Sequence, residues 1–99
     1  MNRIDYTKLD FRRNVVFYMS PSSGPVKLSR IDGKKWGFVY LRRPDLEPVF
    51  KGRGPLEAIR NVMATTRLPR TCRRRTLFTC DVRTFGLMLA GEIQPPTAP

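Results

Sequence analysis

Histidine is absent from this chain of 99 residues. That absence removes Ser-His-Asp and Cys-His nucleophile pairs, imidazole acid–base chemistry and every histidine-containing zinc site. Cysteine is nearly absent, with only Cys72 and Cys80 present. Two thiols cannot close a four-ligand zinc site. Free thiols, a disulfide within one hairpin, or a metal site shared between chains remain, and a reducing compartment disfavours the disulfide. Acidic residues are scarce, 8 against 19 lysines and arginines, for a formal charge of +11. The carboxylates Asp5, Asp10, Asp32, Asp45, Glu47, Glu57, Asp81 and Glu92 fall mostly in turns or caps, and no metal-ligand spacing appears. The expectation is a protein that is not an enzyme, with no cofactor, metal or catalytic residue. Long hydrophobic runs are missing too: none approaches the roughly 20 residues of a membrane span. The start, Met1 to Tyr6, lacks the apolar core of a signal peptide. The chain therefore reads as cytoplasmic, without a membrane partner.

What is present is cationic and moderately apolar. Arginine supplies 14 of the 19 cations, and 40% of the residues are hydrophobic. That apolar fraction suffices for a real core. The length allows one small domain, burying roughly 60–65% of its unfolded surface, which leaves room for a homodimer. Residues 11–93 read as that domain, 1–10 as a loosely ordered lead-in, and 94–99 as a Pro-rich mobile tail.

Local patterns supply the elements. Val15-Val16-Phe17-Tyr18-Met19 is a β-rich run closed by Pro21-Ser22-Ser23-Gly24-Pro25. Val26 to Ile31 is a second strand, and Asp32-Gly33 signals a hairpin turn. Trp36 to Leu41 alternates, with Trp36, Phe38 and Tyr40 on one face and Gly37, Val39 and Leu41 on the other. Arg42 to Pro48 is a loop and Val49-Phe50 a short return strand. Gly54 at the N-cap, Pro55 at the first helical position and Glu57 in the first turn start a helix over about 55–67. Its stripe is Leu56, Ile59, Val62 and Met63, and Leu68-Pro69 stops it. Thr76 to Cys80 is another strand. Residues 82–89 read either as a helix capped by Asp81, using Val82, Phe85, Met88 and Leu89, or as a strand with a Gly kink. The fold class is α+β: a small antiparallel sheet of 4–5 strands, one helix on a face, and the option of a second C-terminal helix.

Lys34-Lys35-Trp36-Gly37-Phe38-Val39-Tyr40-Leu41 resembles the RNP1 strand of RRM and cold-shock nucleic-acid-binding domains. Lys34, Gly37, Phe38 and Val39 match the pattern; Lys35 stands where a glycine is usual and Leu41 where an aromatic is usual. The likeness is local to residues 34–41. It implies that Trp36 and Phe38 stack on bases, with Tyr40 on the same face as a further candidate; the opposing reading is that these aromatics face the core. A sheet over 26–31, 36–41 and 49–51 with a helix from 55 also resembles, in architecture alone, integrase arm-type domains that lay a sheet in the major groove of DNA. RelE-type nucleases work without histidine, but they begin with helices and this chain begins with strands.

The cations fall at strand ends and loops. They are Arg12-Arg13, Lys34-Lys35, Arg42-Arg43, Lys51 and Arg53, and Arg70, Arg73, Arg74 and Arg75. An antiparallel sheet brings several such ends onto one rim able to hold phosphates. Lys51-Gly52-Arg53-Gly54-Pro55 reads as a phosphate cradle or as a plain strand-to-helix turn. The functional expectation is a small basic protein that binds DNA or RNA through phosphates, with aromatic base stacking. The alternative is a phage or mobile-element type of inhibitor or adaptor, whose basic face covers an acidic or nucleic-acid-binding surface of a host protein.

Overall fold

The computed structural model describes residues 4–64 and 76–96. Five strands form one antiparallel sheet: β1 (Asn14–Ser20), β2 (Gly24–Asp32), β3 (Lys35–Tyr40), β4 (Val49–Gly52) and β5 (Phe78–Asp81). The spatial order is β4-β3-β2-β1-β5. Helix α1 (Pro55–Met63) follows β4, and helix α2 (Val82–Leu89) follows β5. The α+β sheet with a packed helix is as the sequence implies, and residues 82–89 are helical. The part of the expected first helix beyond residue 64, including Leu68-Pro69, lies outside the described residues, as does Cys72.

The turns form where the residues permit them. Gly24 (φ 77°) closes the β1–β2 turn and Gly33 (φ 52°) the β2–β3 turn, a region of backbone space that side chains rarely enter. Asp81 caps α2: its carboxylate accepts from the Thr84 N–H at 2.6 Å. That cap resolves the helix-or-strand ambiguity, since it satisfies a donor that the first turn would otherwise leave open.

The sheet is covered on both faces, but by different halves. On one face Val16, Tyr18, Val26, Leu28 and Phe38 pack against Ala58, Ile59 and Val62 of α1. Phe38 is fully buried, 5.6 Å in ring-centre distance from Tyr18 and 6.3 Å from Phe50. On the other face Val15 and Phe17 meet Phe85 and Met88 of α2. The stripes thus differ from the sequence reading at their ends. Met63 is 58% exposed and Val82 55%, while Ala58 is buried. Helix α1 sits so close to the sheet that a small residue faces it, and the larger side chains at the helix ends overhang. Tyr6 and Leu9 also pack against the first cluster, and Tyr6–Lys8 forms a 3-10 turn, so the lead-in has contacts.

Strand β4 is irregular where it passes Gly37. Phe38 pairs with Val49 and Trp36 with Gly52, so β4 holds one residue more than β3 between these pairs. Phe50 takes the strain, with φ 54° in the left-handed region. Its ring packs into the first cluster, while the Lys51 stem lies on the opposite face above Gly37.

Phe38→Ala is expected to cost about 3–5 kcal/mol, the usual penalty for emptying a buried aromatic site, in urea denaturation. Met63→Ala should stay within about 0.5 kcal/mol. The hydrogen bonds from Thr84 hold the Asp81 carboxyl below its usual range. A depressed carboxyl stabilises the fold above its unfolded-state value and stops doing so as pH falls through the folded-state value. Asp81→Ala should therefore lower the thermal midpoint most at neutral pH, and the gap from the parent chain should close in acid.

Candidate functional site

The sheet topology sorts the cations by strand direction. Strand β1 begins, β2 ends, β3 begins and β4 ends at the same end of the sheet, as the registers Arg30↔Trp36 and Trp36↔Gly52 require. Arg12 and Arg13 enter β1 there; Lys34 and Lys35 turn from β2 into β3 there; Lys51 and Arg53 leave β4 there. This end also gathers Arg30 and, at the start of α2, Arg83, which the sequence reading did not single out. Arg30 is a lone cation inside a strand rather than part of a basic pair in a turn, and its place opposite Trp36 is visible only in the register.

An open cleft of about 420 Å³ lies within this end, lined by Lys34, Lys35, Lys51, Gly52, Arg53 and Glu57. Four cations face one carboxylate, and among the described residues none of the four takes part in an ion pair. The cleft exists because two glycines allow close approach. A Cβ on Gly37 would lie 2.6 Å from Ile31 Cδ1 and 3.4 Å from Lys51 Cγ. A Cβ on Gly52 would lie 2.7 Å from the Ala58 backbone nitrogen and 2.9 Å from Glu57 Cβ. The Asn61 side-chain amide donates to the Lys51 carbonyl at 2.8 Å and ties β4 to α1. Lys51 and Arg53 are therefore carried on a braced turn, and Lys34 and Lys35 on a tight hairpin.

Arg42 and Arg43 are at the other end of the sheet, beyond Tyr40. The shared rim does not include them. The Arg42 stem runs beside Gly24, 3.4 Å from where a Cβ would be. Arg43 donates from Nε and Nη2 to both oxygens of Asp45, at 3.0 and 2.8 Å. This pairing raises the Arg43 pKa and lowers that of Asp45, each through the hydrogen bond first. Such a fork leaves Arg43 neutralised locally. Arg13 also has a carboxylate near, with Nε 3.8 Å from Asp10, a loose and exposed pair of little energetic weight.

The aromatic strand is turned inward. Phe38 is a core residue under α1 and is closed to any base, which corrects the stacking role expected of it. The reason is topological: α1 follows β4 and folds back over the face that carries Phe38. Tyr40 is half-buried and packs against the same cluster. Trp36, at the strand's first residues, is also half-buried but near the edge of α1's cover, with Phe11 at 6.1 Å between ring centres. Arg70, Arg73, Arg74 and Arg75 lie outside the described residues. Cys80 is a half-buried thiol in the second cluster, its pKa raised by burial and then by the Asp81 charge.

Among the described residues no helix is long and apolar enough to cross a membrane. In comparisons with known proteins, the chain matches no family model, no curated sequence and no solved structure.

Gly52→Ala should lower stability by about 1–3 kcal/mol, because the new methyl meets backbone rather than a movable side chain. Gly54→Ala, with open space around it, should cost less. Thermal denaturation of the two variants compares them directly.

Proposed function

We propose that the protein binds nucleic acid through the cationic end of its sheet, with phosphates held by Arg12, Arg13, Lys34, Lys35, Lys51 and Arg53. The observation that carries this reading is the convergence of these residues from three chain segments onto one end, where the cleft lined by four of them holds a single carboxylate, Glu57. A net charge of +11 on so small a domain costs self-repulsion. Concentrating the cations at one end makes that cost useful only if a polyanion neutralises them. Lysine and arginine stems bracket the cleft without side-chain partners of their own, so their ammonium and guanidinium groups need not break internal pairs to bind. Counterions released from the nucleic acid then supply most of the driving force.

In this reading Arg42 and Arg43, sequestered at the far end, take no part. Trp36 is the one aromatic of its strand that still borders the site, and Phe38 contributes only by holding β3 on α1.

Titration of labelled oligonucleotides by fluorescence anisotropy over a salt series tests the proposal. Affinity should fall linearly in log–log coordinates as salt rises. Lys34→Ala, Lys51→Ala and Arg53→Ala should each reduce the slope by up to about 1, the signature of one lost phosphate contact. Arg42→Ala and Arg43→Ala should leave it unchanged. A salt-insensitive affinity, or equal losses from both ends of the sheet, would refute the assignment.

A further inference from the structure

The two central strands part at the cationic end. The β1–β2 ladder is paired from Ser20↔Gly24 to Phe17↔Lys27 and goes no further. Below Phe17, residues 14–16 of β1 stay paired with β5, and residues 28–30 of β2 run alongside β3. Between them is a slot of about 130 Å³. Phe11 and Trp36 wall it, Asn14 and Ser29 supply polar groups, and Arg12 and Arg30 border it.

We infer that this slot takes a single unstacked nucleobase, so that the ligand of the cationic end is a single strand rather than a duplex. The inference rests on the nucleic-acid reading above and adds to it. Size is the first argument. The slot approaches the roughly 150 Å³ of a cavity that binds benzene, so it has room for one planar six-membered ring with its edge open to solvent. Chemistry is the second. A base needs flat apolar walls and a few hydrogen-bonding groups at its edge. Phe11 and Trp36 offer the rings; their centres are 6.1 Å apart and their planes inclined at 58°, so a base stacks on the face of one and meets the other at an angle. The Asn14 amide nitrogen donates to the Asp10 carbonyl at 3.2 Å, which engages the donor end of the side chain and leaves its oxygen as the acceptor for a ligand. The Ser29 hydroxyl makes only a long contact of 3.4 Å to the Arg30 carbonyl and is open to a better partner. The diverging strand edges add backbone groups that have left the ladder and need partners from water or ligand.

Position is the third argument. Arg30 pairs across the sheet with Trp36, and Trp36 with Gly52, so one row of residues joins the slot to the cationic cleft. Neighbouring strands are about 4.8 Å apart. A strand whose base enters beside Trp36 therefore carries its flanking phosphates past Arg12 and Arg30 on one side and towards Lys34, Lys35, Lys51 and Arg53 on the other. A paired and stacked duplex cannot place a base edge-deep between two strands.

The chain contains one tryptophan, so its fluorescence reports on the slot alone. Four probes are compared on the full chain: a short oligothymidylate, the matching oligouridylate, an abasic oligomer with the same phosphates, and a duplex. Both pyrimidine strands should quench Trp36, the ratio of their affinities telling DNA from RNA. The abasic strand should bind about tenfold more weakly or worse, with an unchanged salt slope and no quenching. Ser29→Leu, which narrows the slot, should bring the pyrimidine strands down to the abasic level without affecting abasic binding. If abasic and pyrimidine strands bind alike and Trp36 is not quenched, the slot inference falls while the phosphate reading stands. Tighter binding of the duplex than of either single strand also overturns it. If no probe binds in a salt-dependent way, both readings fall. The wild-type comparison decides the question even where Ser29→Leu does not fold.

Discussion

The ring of Phe38, fully buried between β3 and α1, is the contact on which the arrangement turns. It ties the strand bearing the cationic hairpin to the helix that follows the cationic turn. Because α1 must cover Phe38, the chain has to reverse tightly after β4, and Gly52 passes under the first turn of the helix. Phe50 adopts left-handed backbone to join the same aromatic group, and that distortion turns Lys51 to the other face. A strained residue at a sheet edge is stable only where its surroundings hold it, here through Tyr18 and Phe38. The hydrophobic packing of one face thus aims charged groups on the other.

The two helices cover diagonally opposite halves of the sheet, α1 over the β2–β4 side and α2 over the β1–β5 side. Each half has a core of its own. The seam between the halves runs along β1 and β2, where the ladder opens. A sheet covered by one broad layer would have no reason to part there. Here β1 follows β5 and α2, while β2 follows β3 and α1, and the slot is the gap between two well-packed units.

Electrostatics adds little to stability and much to where ligands go. The ion pairs among the described residues are exposed, and such pairs are worth little. Their effect is selective: Asp45 removes Arg43 from the pool of open cations, and the Asp81 charge is taken up as a helix cap. At the cationic end Asp10 lies beside Arg13 and Asp81 caps α2, and among the described residues Lys34, Lys35, Lys51 and Arg53 take part in no ion pair.

Much of the architecture is legible in local pattern. Gly33 and Gly24 mark turns because they alone accept positive φ cheaply, and Gly54-Pro55 starts a helix because proline needs no donor there. Those constraints act within a few residues, so the strands, the start of α1 and the excess of positive charge are legible locally, whereas residues 82–89 carry both a helix and a strand pattern and the Asp81 cap decides between them. Which face of β3 is buried could not be read the same way. Alternation puts Trp36, Phe38 and Tyr40 together, but the side to which they turn depends on where α1 lands, and that is a property of the whole chain. The same holds for Arg42 and Arg43, as basic as Lys34 and Lys35 in sequence and separated from them by the length of a strand in space. Strand order and direction set which cations share an end, bring Arg30 to them and part β1 from β2 beside Trp36. These features arise from strand direction and helix packing between residues distant in sequence, and local composition carries no record of either.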